Sequence, residues 1–133
     1  MSLINDRDKI KQVIDFTGVQ NGNMHPSDID AVLEFDDQIL ILIEVKFKGS
    51  LIPTGQRLLL ERICDSWHDA VKKGIVLKVE HNYRNTKKNI PLNECFVTEF
   101  YYNKMWKVLK KRQKFVAYIN KLGRLFDNEK CRF

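Results

Sequence analysis

Three side chains, Asp30, Glu44 and Lys46, have the types and spacing to hold a divalent cation beside a phosphodiester. Asp30 lies in Ser27-Asp28-Ile29-Asp30-Ala31-Val32-Leu33-Glu34-Phe35, and Glu44-Val45-Lys46 closes the apolar run that begins at Ile39. A carboxylate and an ammonium in a buried run are costly unless paired, hydrogen-bonded or bound to a metal. Cleaving a phosphodiester requires an activated water, a stabilised transition state and a stabilised leaving oxygen, and divalent cations serve all three needs. Magnesium takes oxygen ligands and keeps several waters, so two carboxylates and a carbonyl suffice. Asp30 and Glu44 could supply the carboxylates and the Val45 backbone the carbonyl, for Mg or Mn. Asp28 shares the strand face of Asp30 and could share the metal. Lys46, two residues beyond Glu44, points the same way and could orient or deprotonate the attacking water or offset phosphate charge.

The elements that must position these groups follow from periodicity. Ile10, Val13, Ile14 and Phe16 suggest a first helix from about Ile4 to Phe16, capped by Asn5 or Asp6, and Gly18 to Pro26 reads as a loop. Alternation predicts a strand from Ile29 to Phe35, a turn at Asp36-Asp37-Gln38, and an antiparallel partner from Ile39 to Phe47. A helix capped by Thr54 follows, burying Leu59, Ile63, Trp67 and Ala70 or Val71 and ending at Lys72-Lys73-Gly74. Ile75 to Glu80 is then a strand parallel to the second, closing a βαβ unit. His81 to Asn93 reads as a polar, basic loop and Glu94 to Tyr102 as a strand. From Lys104 the spacing of Met105, Val108 or Leu109, Arg112, Phe115 or Val116, Ile119 and Leu122 predicts a basic helix, with Gly123 ending or kinking it.

A chain of 133 residues, 44% hydrophobic and 30% charged, suits one folded domain spanning 1–133. No apolar run reaches the roughly 18 residues needed to span a bilayer, and no secretory leader is evident. Three widely spaced cysteines, Cys64, Cys95 and Cys131, suggest reduced thiols and a cytoplasmic setting rather than a disulfide framework. Residues 1–70 carry a net charge of −5 and residues 71–133 a net of +11, a division that fits a cation site beside a polyanion-binding surface. The cations placed to meet phosphates are Lys87, Lys88, Lys104, Lys107, Lys110, Lys111, Arg112 and Lys114. Tyr101, Tyr102 and Trp106 could stack on bases, whereas Trp67 reads as core. Cys64 and His68 stand at i and i+4, but two ligands do not make a zinc site. His25 and His81 read as loop or strand-end residues without an evident partner.

Asp30, thirteen intervening residues and then Glu44-Val45-Lys46 resemble the motif of the PD-(D/E)xK nuclease superfamily, which includes restriction endonucleases, Holliday junction resolvases and repair and phage nucleases. The resemblance implies a restriction-endonuclease-like α/β fold, a mixed sheet flanked by helices in the order α-β-β-β-α-β over residues 4–102, with the basic helix of 103–133 as an addition. It implies a Mg- or Mn-dependent hydrolysis of DNA that leaves a 5′-phosphate and a 3′-hydroxyl, and a homodimer that places two sites on two strands. By position, Asp30 and Glu44 match the metal ligands, Lys46 the catalytic lysine, and Gln56 a glutamine that several branches use near the site. The resolvase-like branches favour Asp30 over Asp28. Two departures stand out: Pro26 is two residues before Asp28 instead of adjoining the acid, and the first helix offers Asp6 and Asp8 where such nucleases often offer a glutamate. The rival reading is a catalytically inactive protein that keeps the frame as a DNA-binding or scaffold module.

Overall fold

The computed structural model describes residues 13–133. The elements are β1 (Ala31–Phe35), β2 (Ile39–Phe47), α1 (Thr54–Trp67), β3 (Lys73–His81), a 3₁₀ turn (Leu92–Glu94), β4 (Phe96–Tyr102), β5 (Met105–Lys114) and α2 (Phe115–Leu125). The five strands form one sheet in sequence order, β1-β2-β3-β4-β5. β2 and β3 are parallel and every other neighbouring pair is antiparallel.

The expected hairpin and βαβ unit are both present. Asp36 and Asp37 have φ of 53° and 57°, the left-handed pair of a two-residue hairpin turn whose twist matches the strands. β2 is buried on both faces, as its unbroken apolar run demands. Ile39, Ile41 and Ile43 face a core built with Ile75, Leu77, Val79 and Val97 under α2, which contributes Phe115, Tyr118, Ile119 and Leu122. Leu40 and Leu42 face the other way, onto Val76, Tyr101, Leu60 and Cys64 under α1. The sheet is therefore sandwiched between two helices, one per face.

Several expectations are corrected. The order of described elements is β-β-α-β-β-β-α, not α-β-β-β-α-β: α1 follows the second strand because it is the crossover that lets β2 and β3 run parallel. The first helix falls mostly outside the described residues; Val13 to Phe16 are not helical, and Val13 and Ile14 are exposed. α1 ends at Trp67, its buried residues are Leu60 and Cys64, Val71 is exposed, and no side chain caps its start. Gly74 is not a helix stop but lies in β3, where a Cβ would come within 2.8 Å of the Cys64 carbonyl; glycine lets α1 sit directly on the strand.

The largest correction concerns the basic C-terminal helix. Residues 105–114 form β5, and the helix begins only at Phe115. Asn103 and Lys104, with φ of 51° and 64°, form a second tight turn that folds β5 back on β4. Lys104 thus sits in a turn, and Lys107, Lys110, Lys111, Arg112 and Lys114 sit on an edge strand. Strand pairing separates them: Lys107 lies opposite Phe100 on the α2 face, whereas Lys114 lies opposite Phe96, the ring that Arg112 covers, and the pairing between Val108 and Gln113 is irregular. There is no single basic stripe.

Candidate active site

β1 ends its pairing at Ala31↔Ile43, so the chain before it peels away from β2 where Glu44 emerges. Asp30 remains attached by its side chain: its Oδ2 accepts the Val45 N–H at 2.7 Å, in place of the next ladder bond. Backbone N–H and C=O of one strand residue point to the same neighbour, so the Val45 carbonyl also faces the Asp30 side.

Glu44 is buried at 1% exposure, on the face that α1 covers further down the strand. Its Oε1 meets Lys46 Nζ at 3.1 Å, while its Oε2 is buried without a hydrogen-bond partner. Burial pushes the Glu44 carboxyl up from its ordinary range; Lys46 offsets part of this, and the nearby Asp30 charge adds to the rise. A buried carboxylate oxygen without a partner, beside a second carboxylate, is the environment a cation would relieve.

These groups open on a cleft of about 650 Å³ that Asp28, Asp30, Glu44, Lys46, His25 and Gln56 help to line. Gln56 Nε2 donates to the Asp28 carbonyl at 3.2 Å and ties the start of α1 to the segment leading into β1. Pro53 and Gly55 also border the cleft, and the first turn of α1 carries neither a side-chain cap nor an acid. Its free N–H groups and dipole favour an anion there. Asp28, Asp30, Glu44, Val45, Lys46 and Gln56 are thus brought together. Asp6 and Asp8 lie outside the described residues. Among the described residues, no group of three or more His, Cys, Asp or Glu side chains is set to hold a metal. The ligands on offer are two carboxylates and a backbone carbonyl, which fits a hard, largely hydrated ion such as Mg or Mn.

Sequence reasoning missed the neighbours of this centre. Lys78, 5% exposed, is paired in register with Glu44, and its Nζ meets Glu80 Oε2 at 3.1 Å and Glu99 Oε2 at 3.4 Å. Glu80 is in register with Lys46. Lys78-x-Glu80 is thus the sign-reversed copy of Glu44-x-Lys46 on the adjacent parallel strand, and the two motifs form a checkerboard of alternating charge. That signal was present in the sequence, at the end of a second apolar run.

Other candidates take structural roles. Tyr101 is buried, with its hydroxyl donating to Asp65 at 2.8 Å, and the Arg57 guanidinium covers the Trp106 ring at 4.1 Å while Trp106 Nε1 donates to Glu61 at 3.1 Å, so neither offers an open ring face to a base. Tyr102 packs between His68 and Phe126. Cys64 is buried with its thiol pushed up to about 12, and His68 Nδ1 accepts the Gly74 N–H, so the pair does not form a metal site. Cys95 and Cys131 are also free and buried. Lys87 and Lys88 are exposed in the loop after β3. None of the described helices is long and apolar enough to cross a membrane. Comparison with protein-family models, with curated proteins and with solved structures finds no match to this chain.

Proposed function

We propose that the protein is a metal-dependent nuclease that hydrolyses DNA phosphodiester bonds, with its centre at Asp30, Glu44 and Lys46. The observation that carries this reading is the buried, unpartnered Oε2 of Glu44, a residue that lines one cleft with Asp30 and Lys46. A structural ion pair would need no second carboxylate held beside it by a backbone N–H. The likeness of the motif to PD-(D/E)xK nucleases adds to that chemistry.

In this reading Asp30, Glu44 and the Val45 carbonyl hold Mg or Mn, which would polarise the phosphate and lower the pKa of a bound water. Asp28, exposed and lining the same cleft, would be available to share the ion. Lys46, at 24% side-chain exposure, keeps one donor on Glu44 and has others for the attacking water or a phosphate oxygen. The first turn of α1 and the Gln56 amide receive the scissile phosphate. Water adds to phosphorus, the 3′ oxygen leaves and takes a proton, and the products carry a 5′-phosphate and a 3′-hydroxyl.

The test is incubation with labelled duplex, single-stranded and four-way-junction DNA in magnesium or manganese, beside Glu44→Ala. Cleavage that chelator abolishes and that the variant lacks by at least about 100-fold supports the enzyme. Equal cleavage by both proteins refutes this site. Binding that depends on salt, ignores magnesium and yields no cut product favours the inactive scaffold.

A further inference from the structure

We propose that the substrate strand enters unpaired: the protein holds single-stranded DNA by stacking a base on an aromatic cluster of Phe47, His81 and Tyr83 at the carboxyl ends of β2 and β3, across the sheet from the candidate centre. This rests on the nuclease reading and names its substrate form.

The platform closes the carboxyl ends of the parallel strands β2 and β3, where open α/β sheets place their ligands. Phe47 directly follows Lys46 and is in register with His81, which directly follows Glu80. Alternation points both rings to the sheet face opposite Glu44, so a strand that reaches both the rings and the carboxylates must pass over the carboxyl ends of β2 and β3. The Phe47 and His81 rings meet edge-on at 5.7 Å, and His81 and Tyr83 stack at 6.1 Å with their planes inclined by 29°. Phe47 is 37% exposed.

The platform is held in place. The Tyr83 N–H donates to His81 Nδ1 at 3.1 Å, which leaves the His81 Nε2 proton free to donate, and the Tyr83 hydroxyl is hydrogen-bonded to Glu94. The rings border a cavity of about 590 Å³ whose other lining includes Arg84, Asn85 and Lys88. The Arg84 guanidinium lies over the Phe47 ring at 5.8 Å from its centre, so a base stacking on that face takes the place of Arg84, which then turns to the phosphate. Ring faces flanked by two cations match a base and its phosphates. In a duplex both faces of every base are already stacked, so a platform of this kind selects an unpaired nucleotide.

The experiment compares a 5′-labelled single strand, the same strand with abasic sugars, its duplex and its RNA counterpart, by fluorescence anisotropy with the full chain in chelator. Wild type is expected to bind the single strand at least about tenfold more tightly than the abasic strand or the duplex. Phe47→Ala should lose about 5- to 150-fold on the single strand and nothing on the duplex. Phe47→Trp should keep affinity, and its indole emission should fall when the intact strand binds. Equal binding of intact and abasic strands by wild type overturns the proposal without relying on any variant's folding, as does a preference for duplex or RNA. Retained base-dependent binding without magnesium-dependent cleavage would refute the nuclease and leave the platform standing. Cleavage lost in Glu44→Ala but indifferent to abasic sites would do the reverse.

Discussion

Glu44 and Lys46 need each other unequally. Glu44 is enclosed and carries one unpartnered oxygen, whereas Lys46 reaches the surface. Because folding raises the Glu44 pKa, its contribution to stability is full below the unfolded value near 4.5 and is lost as pH rises through the higher folded value. Glu44→Gln should therefore raise the metal-free melting temperature at pH 8 and flatten its dependence on pH, while abolishing cleavage. A thermal scan across pH reads both slopes. Lys46→Met removes the donor that meets Glu44 Oε1 and should cost about 1–2 kcal/mol at neutral pH, less than a fully enclosed pair would because Lys46 is partly solvated. Denaturant titration gives that difference. At a pH where the raised Glu44 carboxyl still carries its proton, metal must displace it, so magnesium affinity should rise with pH through that range and binding there should release protons. Calorimetry in two buffers of different ionisation enthalpy measures that release. The Glu44-x-Lys46 pair was legible because charges ending an apolar run stand out. Its counterpart Lys78-x-Glu80 has the same form and went unread, since without the register of parallel strands nothing placed it alongside.

At the scale of elements, the sequence was clearest where one period dominates. β2 was read from Ile39 to Phe47 and is observed with those bounds. β5 was misread because Met105, Leu109 and Arg112 also satisfy helical spacing, and its alternation is weakened by exposed positions on both faces. The missed cue was Asn103-Lys104, an asparagine-led pair between two aromatic runs, which adopts the left-handed turn that a β-hairpin needs. The sign of one substitution separates the two readings. Lys104→Gly should stabilise by about 0.5 kcal/mol, since glycine relieves a positive φ, whereas in a helix it would cost about 1 kcal/mol. Chemical denaturation of the single variant measures this. The α1 boundary was placed too late for a related reason: Gly74 looked like a helix stop, and only the approach of the Cys64 carbonyl reveals that the glycine is a packing requirement of β3.

Across the whole molecule, the division into an acidic first half and a basic second half does not become two separate surfaces. Lys72 pairs with Asp37 and Lys130 with Asp36, so cations of the later segments close on the early hairpin. Among the described residues, the exposed positive charge gathers instead on β5 and in the loop after β3. β5 lies three strands from β2, about 14 Å at the usual strand spacing, which suits contacts to phosphates flanking the cut rather than to the scissile one. The lysines of this edge also discourage pairing with another sheet. Replacing Lys110, Arg112 and Lys114 with Gln should reduce the slope of log affinity against log salt by about 2 for a single strand, with little change in cleavage rate at saturation. An anisotropy series in salt gives that slope. Composition disclosed the amount of charge; only the fold discloses which charges remain available to a partner.

The hydrogen bond from Val45 to Asp30 turns one backbone amide into a spectroscopic probe. A peptide proton held at 2.7 Å by a carboxylate should resonate well downfield of its strand neighbours and move when that carboxylate gains a proton or a cation. A single nitrogen-15 cross-peak would then report the occupancy of the centre in solution, without nucleic acid and without turnover.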